Sequence, residues 1–165
     1  MIKSIIYTIY KSLQKRKKRE YNRYLPFGEL LIDRSKKASL LNFGEGTTIH
    51  DSSYVYGDVA VGKNTWIGPF TILDGSGGLK IGANCSISTG VQIYSHDTIN
   101  WATSGGEKPY EYAPVVIEDN CYIGPNSIIQ KGVTIKKGTI VGANSFVNKD
   151  FPEGSKIAGN PAKLI

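Results

Sequence analysis

From Ile49 onward the chain keeps a six-residue rhythm. An aliphatic side chain falls at Ile49, Val55, Val61, Ile67 and Leu73, again at Ile81, Ile87 and Ile93, and again at Ile117, Ile123, Ile129, Ile135, Val141 and Val147. Glycine often follows, as in VGKNTW, IGPFTI, IGANCS, IGPNSI and VGANSF. The fifth position is small or β-branched, as at Thr65, Thr71, Cys85, Cys121, Ser127, Val133, Thr139 and Ser145. Two inward positions per hexad, with Gly, Asn and Asp between them, predict short strands joined by tight corners. Such units bury a continuous core only by stacking, so residues 49–162 are expected to coil into an all-β solenoid.

The rhythm breaks twice. Gly75–Gly78, GSGG, adds two residues and reads as a loosened corner. Between Ile93 and Ile117 there are 24 positions where six would do, and the rhythm resumes in phase, so about 18 residues form an inserted loop, roughly 97–115. Loops of that length on a rigid scaffold are usually functional. This one carries Trp101, Tyr110 and Tyr112.

His96 is the fourth residue of its hexad, at the root of the loop. The stack predicts Gly132 as its neighbour in the next coil, leaving space beside the ring. An imidazole can take a proton from a hydroxyl or amine near neutral pH. Spacing alone also allows a polar corner residue with no chemistry, and both readings stay open at this point.

Ahead of the repeat, Ile2, Ile5, Ile6, Ile9 and Leu13 recur at helical spacing and are followed by Lys15, Arg16, Lys17, Lys18 and Arg19. This predicts a basic amphipathic helix over 1–24 that ends before Pro26 and Gly28. Its apolar part is shorter than the roughly 20 residues a bilayer span needs. No small-residue cleavage site follows it, so a secretory leader is not expected. The helix either rests on anionic lipid through residues 1–23 or packs on the body with a solvated charged end. Residues 25–48 are expected as a capping coil and 163–165 as a C-terminal tail.

Composition refines this outline. The chain has 165 residues with 40% hydrophobic and 21% charged, which fits one globular domain and excludes a disordered one. Of the net +6, residues 1–23 hold eight bases and one acid, leaving 12 bases and 13 acids elsewhere. A body so close to neutral argues against nucleic acid as a partner. Cys85 and Cys121 fall on one face of neighbouring coils and read as core packing. Two such cysteines without a disulfide framework fit a reducing cytoplasm. His50 and His96 are the only histidines. A zinc lyase built on three histidines is therefore not expected, nor is any required metal.

The stretch from Ser95 to Ile165, with its ordered SHDTINW, YIG, GVTI, VGANS, KD and GNPAK segments, resembles the hexapeptide-repeat acyltransferases. The likeness is to the galactoside and maltose acetyltransferase branch and the surface-polysaccharide sugar O-acetyltransferases. The resemblance implies a left-handed parallel β-helix carrying an N-terminal α-helix and a protruding loop, with acetyl-CoA as co-substrate and a sugar or glycan as acceptor. It also implies homotrimers with active sites between subunits. On matching positions His96 takes the role of general base. Gly124 lies in the wall of the acetyl-CoA slot, Ala143 offers a backbone contact to the pantetheine arm, Asn148 and Lys149 lie further along it, and Lys163 lies near the CoA phosphates. Pro125 has no N–H where the galactoside branch makes a polar contact, so the Gly124 amide becomes the oxyanion candidate. Asp97, Trp101 and Tyr112 are candidates for holding the acceptor. The alternatives are an N-acetyltransferase of a nucleotide-linked amino sugar and, from another class, a non-catalytic solenoid scaffold.

Overall fold

Residues 2–165 are described by a computed structural model, and Met1, the first residue of the expected helix, lies outside them. The repeat winds into a left-handed parallel β-helix of about 6 turns. Its first face stacks Thr48–Ile49, Trp66–Ile67, Ser86–Ile87, Tyr122–Ile123, Ile140–Val141 and Lys156–Ala158 in parallel. The second face stacks Leu73, Ile93, Ile129 and Val147, and the third stacks Val61, Ile81, Ile117 and Ile135. Each repeat aliphatic from Ile49 on, Val55 excepted, is buried in one continuous core with the small fifth-position residues around it. Cys85 and Cys121 are among them as free thiols, each donating to a backbone carbonyl. At about 25 cal/mol per Å² of buried apolar surface, each aliphatic side chain in this ladder contributes to holding the coils together.

The corners explain why the fourth hexad position is so often Asn or Gly. Asn64, Asn84, Asn120, Asn126 and Asn144 have φ between 54° and 61°, the left-handed region that Asn tolerates better than most residues. Gly90, Gly132 and Gly138 take the same role. Gly124, first in its corner, is glycine for a different reason. A Cβ there would sit 2.6 Å from the amide nitrogen of Ala143 in the next coil.

The GSGG corner departs from expectation. It is not loosened: Ile72–Ile81 is one unbroken strand that runs from the second face into the third. It pairs with Tyr54–Val61, and the two extra residues appear as a register shift between Gly57 and Val59.

Helix α1 spans Ile2–Tyr21, α2 Phe27–Leu31 and α3 Arg34–Leu40. Half of the segment expected as a capping coil, residues 25–48, is therefore helical. Asp33 starts α3 by accepting from the amides of Ser35 and Lys36. Buried Glu29 of α2 accepts from Ser52 N and Oγ, His50 Nδ1 and Arg34, which ties the cap to the first corner of the solenoid. The last residues also take on structure, because Lys163–Leu164 pairs antiparallel with Lys156–Ala158. No helix among the described residues is long and apolar enough to cross a membrane.

Candidate active site

His96 occupies the one corner of the second and third faces where the chain leaves the solenoid. The left-handed turn of the neighbouring hexads is missing there: His96 continues as the strand His96–Asp97 and pairs antiparallel with Glu111–Tyr112. Helix α4, Ile99–Thr103, closes the excursion. Ala113 then resumes the corner, accepting from Gly132 N and donating to Ser95 O. Gly132 consequently faces Ala113 and not the His96 ring as the stack had predicted, because the returning limb fills that place.

The ring has a partner that the hexad count missed. Asp74 Oδ2 lies 2.6 Å from His96 Nδ1 and also accepts from Ser95 N at 3.1 Å, while Oδ1 accepts from Ser76 N and Oγ. The Asp74 side chain is 2% exposed, against 31% for His96. Burial works to raise the Asp74 pKa, but the bonds from Ser76, His96 and Ser95 outweigh it and hold the carboxyl below its ordinary range. An ionised carboxylate only accepts, so Nδ1 carries a proton, and in the neutral ring Nε2 presents the lone pair. The two inserted residues of the GSGG corner make this possible, since Gly77 N donates to Ser95 Oγ and the corner wraps the root of His96. A Cβ at Gly77 would come within 2.4 Å of Ser95 O. An aspartate opening the irregular corner was the available signal.

A groove of about 320 Å³ opens beside the ring, lined by Tyr94, His96, Asp97, Ile128, Gln130 and Phe146, with Thr98, Ile99 and Lys131 at its loop side. Tyr94 Oη donates to Gln92 Oε1, and burial raises its pKa. Asp97 borders the groove but is committed: Oδ1 accepts from Ile99 N, and Oδ2 meets Lys131 Nζ at 3.2 Å. Lys131 also binds Glu111, which is joined to Asn100, so one lysine clamps both limbs of the loop. Tyr112 stacks on His96 at 5.8 Å, while Trp101 packs edge-on against Tyr110 at 5.6 Å. Trp101 and Tyr112 line a separate hollow on the outer side of the loop.

The residues matched to the thioester slot do not gather at this corner. Gly124 and Ala143 lie at the opposite edge of the second face, on the corner shared with the first. Gly124 is buried and its N–H donates to Val141 O at 2.8 Å, so it has no proton left for an oxyanion. That assignment is corrected by the ladder itself, in which the residue after each first-face strand bonds to the next coil. The neighbouring Ala143 is exposed and its N–H has no partner among the described residues. Asn148 and Lys149 share the corner column of His96, two coils on, with the Lys149 ammonium 5.5 Å from the Phe151 ring. Lys163 is exposed on the antiparallel terminal strand. No group of three or more His, Cys, Asp or Glu side chains placed to hold a metal occurs among the described residues.

Residues 114–149 match the model of the bacterial transferase hexapeptide family (six repeats). A 2,3,4,5-tetrahydropyridine-2,6-dicarboxylate N-acetyltransferase of Staphylococcus aureus is 45% identical over 62 residues, 38% of this chain and 26% of the relative. The chain thus spans about a quarter of the length of the curated relatives it matches. A maltose O-acetyltransferase from Clostridium difficile 630 is similar in structure, with TM-score 0.62 and 27% identity over 98% of this chain and 87% of that one. AntD, an N-acyltransferase from Bacillus cereus solved with dTDP and 3-hydroxybutyryl-CoA, aligns with TM-score 0.68 and 25% identity over 74% of this chain and 70% of that one.

Proposed function

We propose that this chain, which belongs to the hexapeptide-repeat acyltransferase superfamily, transfers an acetyl group from acetyl-CoA to a sugar with His96 as general base. The observation that carries the proposal is the Asp74–His96 pair at the lip of a groove, with Nδ1 held as the donor and Nε2 left as the base. His96 Nε2 takes the acceptor's proton as its oxygen or nitrogen attacks the thioester carbonyl. The tetrahedral intermediate then collapses to the acetylated acceptor and expels the CoA thiolate, whose sulfur takes the proton from Nε2 to leave as free CoA. Asp74 stabilises the transient imidazolium and fixes the ring. No acyl-enzyme step is needed, because Cys85 and Cys121 are buried away from this corner.

Acetyl-CoA lies along the Asn148 and Lys149 column in this proposal, with Lys149 and Lys163 supplying cations for its phosphates and the Ala143 N–H meeting its pantetheine arm. Ala143 and His96 stand on different corners of one chain. A slot that uses both is therefore built between copies, and a C3 homotrimer provides it.

Transfer to a hydroxyl and transfer to an amine use the same base and differ only in the attacking atom. The first follows the maltose O-acetyltransferase likeness and suits a surface polysaccharide or other glycan. The second follows the AntD likeness and suits a nucleotide-linked amino sugar. A screen of sugars, amino sugars and nucleotide sugars, reading thiol released from acetyl-CoA, tests the proposal. The product separates the two, because an O-acetyl ester is cleaved by mild alkali and an N-acetyl amide is not. If no acceptor raises thiol release above the rate without acceptor, the chain acts as a scaffold and the enzymatic reading fails.

A further inference from the structure

The solenoid and its groove leave helix α1 unexplained. Ile2, Ile5, Ile6 and Ile9 follow the i, i+3, i+4, i+7 spacing of one helix face. They are 74, 56, 47 and 46% exposed, so none is covered by the rest of the chain. α1 is anchored only from Tyr10 onward: Gln14 Nε2 donates to Leu25 O at 2.6 Å, and Tyr10 packs on Phe27 at 6.2 Å. Further along the same face, Arg16 falls seven residues after Ile9 and Lys17 four after Leu13, so the stripe turns from apolar to basic. Residues 2–19 contain no acid at all.

We infer that α1 docks the protein on an anionic lipid bilayer, with the four isoleucines inserted at the acyl boundary and Arg16, Lys17 and their neighbours among the headgroup phosphates. Charge decides the occupant. A second copy of α1 would cover the stripe only by bringing two helices with seven bases and one acid each side by side, which like-charge repulsion opposes. A surface of negative lipid meets both halves of the stripe, apolar area below and phosphate above.

Sedimentation of the full chain with phosphatidylcholine vesicles, with and without phosphatidylglycerol, tests this. Partitioning is expected to rise about tenfold or more with the anionic lipid and to fall as salt is added. The Ile5→Asp/Ile9→Asp double variant should lose that binding while keeping its sedimentation coefficient and its thiol release with a soluble acceptor. Equal partitioning to both vesicles, unchanged binding by the double variant, or a change in its assembly state would each overturn the inference. The last outcome would place the stripe in a contact between copies. This inference is independent of the acyl-transfer proposal, so either can fail alone.

Discussion

Asp74 Oδ2 and His96 Nδ1 lie 2.6 Å apart across a sequence separation of 22 residues. They meet because Leu73 and Ile93 are register partners in adjacent coils and the GSGG corner swings the carboxylate towards the loop root. In the proposed reaction Asp74 is thus a positioning residue for His96.

Asp74→Asn keeps the shape and removes the charge. An amide can offer Nδ1 a donor in place of an acceptor, which releases the ring from the required tautomer. The expected result is a fall in kcat of about 100-fold or more with KM for acetyl-CoA nearly unchanged. Steady-state kinetics with a saturating acceptor measure the split. An unchanged kcat would mean that Asp74 serves only the fold.

Lys131→Met removes the cation that joins Asp97 and Glu111. These groups are solvated, so the change should leave the melting temperature nearly unmoved. The loop carrying Trp101 and Tyr112 should nonetheless loosen. Faster amide exchange across residues 98–112 and an acceptor KM raised about tenfold are the expected readouts.

Acid should loosen the molecule in two stages. Burial and the nearby Arg34 lower the pKa of His50, so the folded state binds fewer protons than the unfolded chain, and stability falls as pH drops below about 6.5. For Glu29 and Asp74 burial acts upward, but their hydrogen bonds and histidine neighbours win and depress both. Their stabilisation is complete above the ordinary carboxylate range and is lost as pH falls through about 4 and below. Thermal melting across pH 8 to 3 should show a shallow decline followed by a steeper one, and His50→Gln should flatten the first.

Much of this was legible in the sequence, for a physical reason. A six-residue period with small fifth positions has few solutions other than a stacked coil, so Ile49 through Val147 located the core and its in-phase return at Ile117 exposed the loop. His96 was visible as a histidine at a position where neighbouring hexads put left-handed Asn or Gly. Asp74 was not, because the pairing depends on a strand running through a corner, and two extra residues in a count say nothing of direction. Gly124 failed as a donor for the opposite reason: the regular ladder that the repeat predicts already uses its N–H. The capping helices lay outside the period, where only propensity spoke.

The proposed reaction depends above all on His96 as the base. Thiol release from acetyl-CoA with the best acceptor of the screen, compared between the natural chain and His96→Ala, tests it most directly. If His96 is the base, kcat falls by about 100- to 10,000-fold with acetyl-CoA binding and melting temperature retained. Turnover by His96→Ala within a few-fold of the natural chain would contradict it.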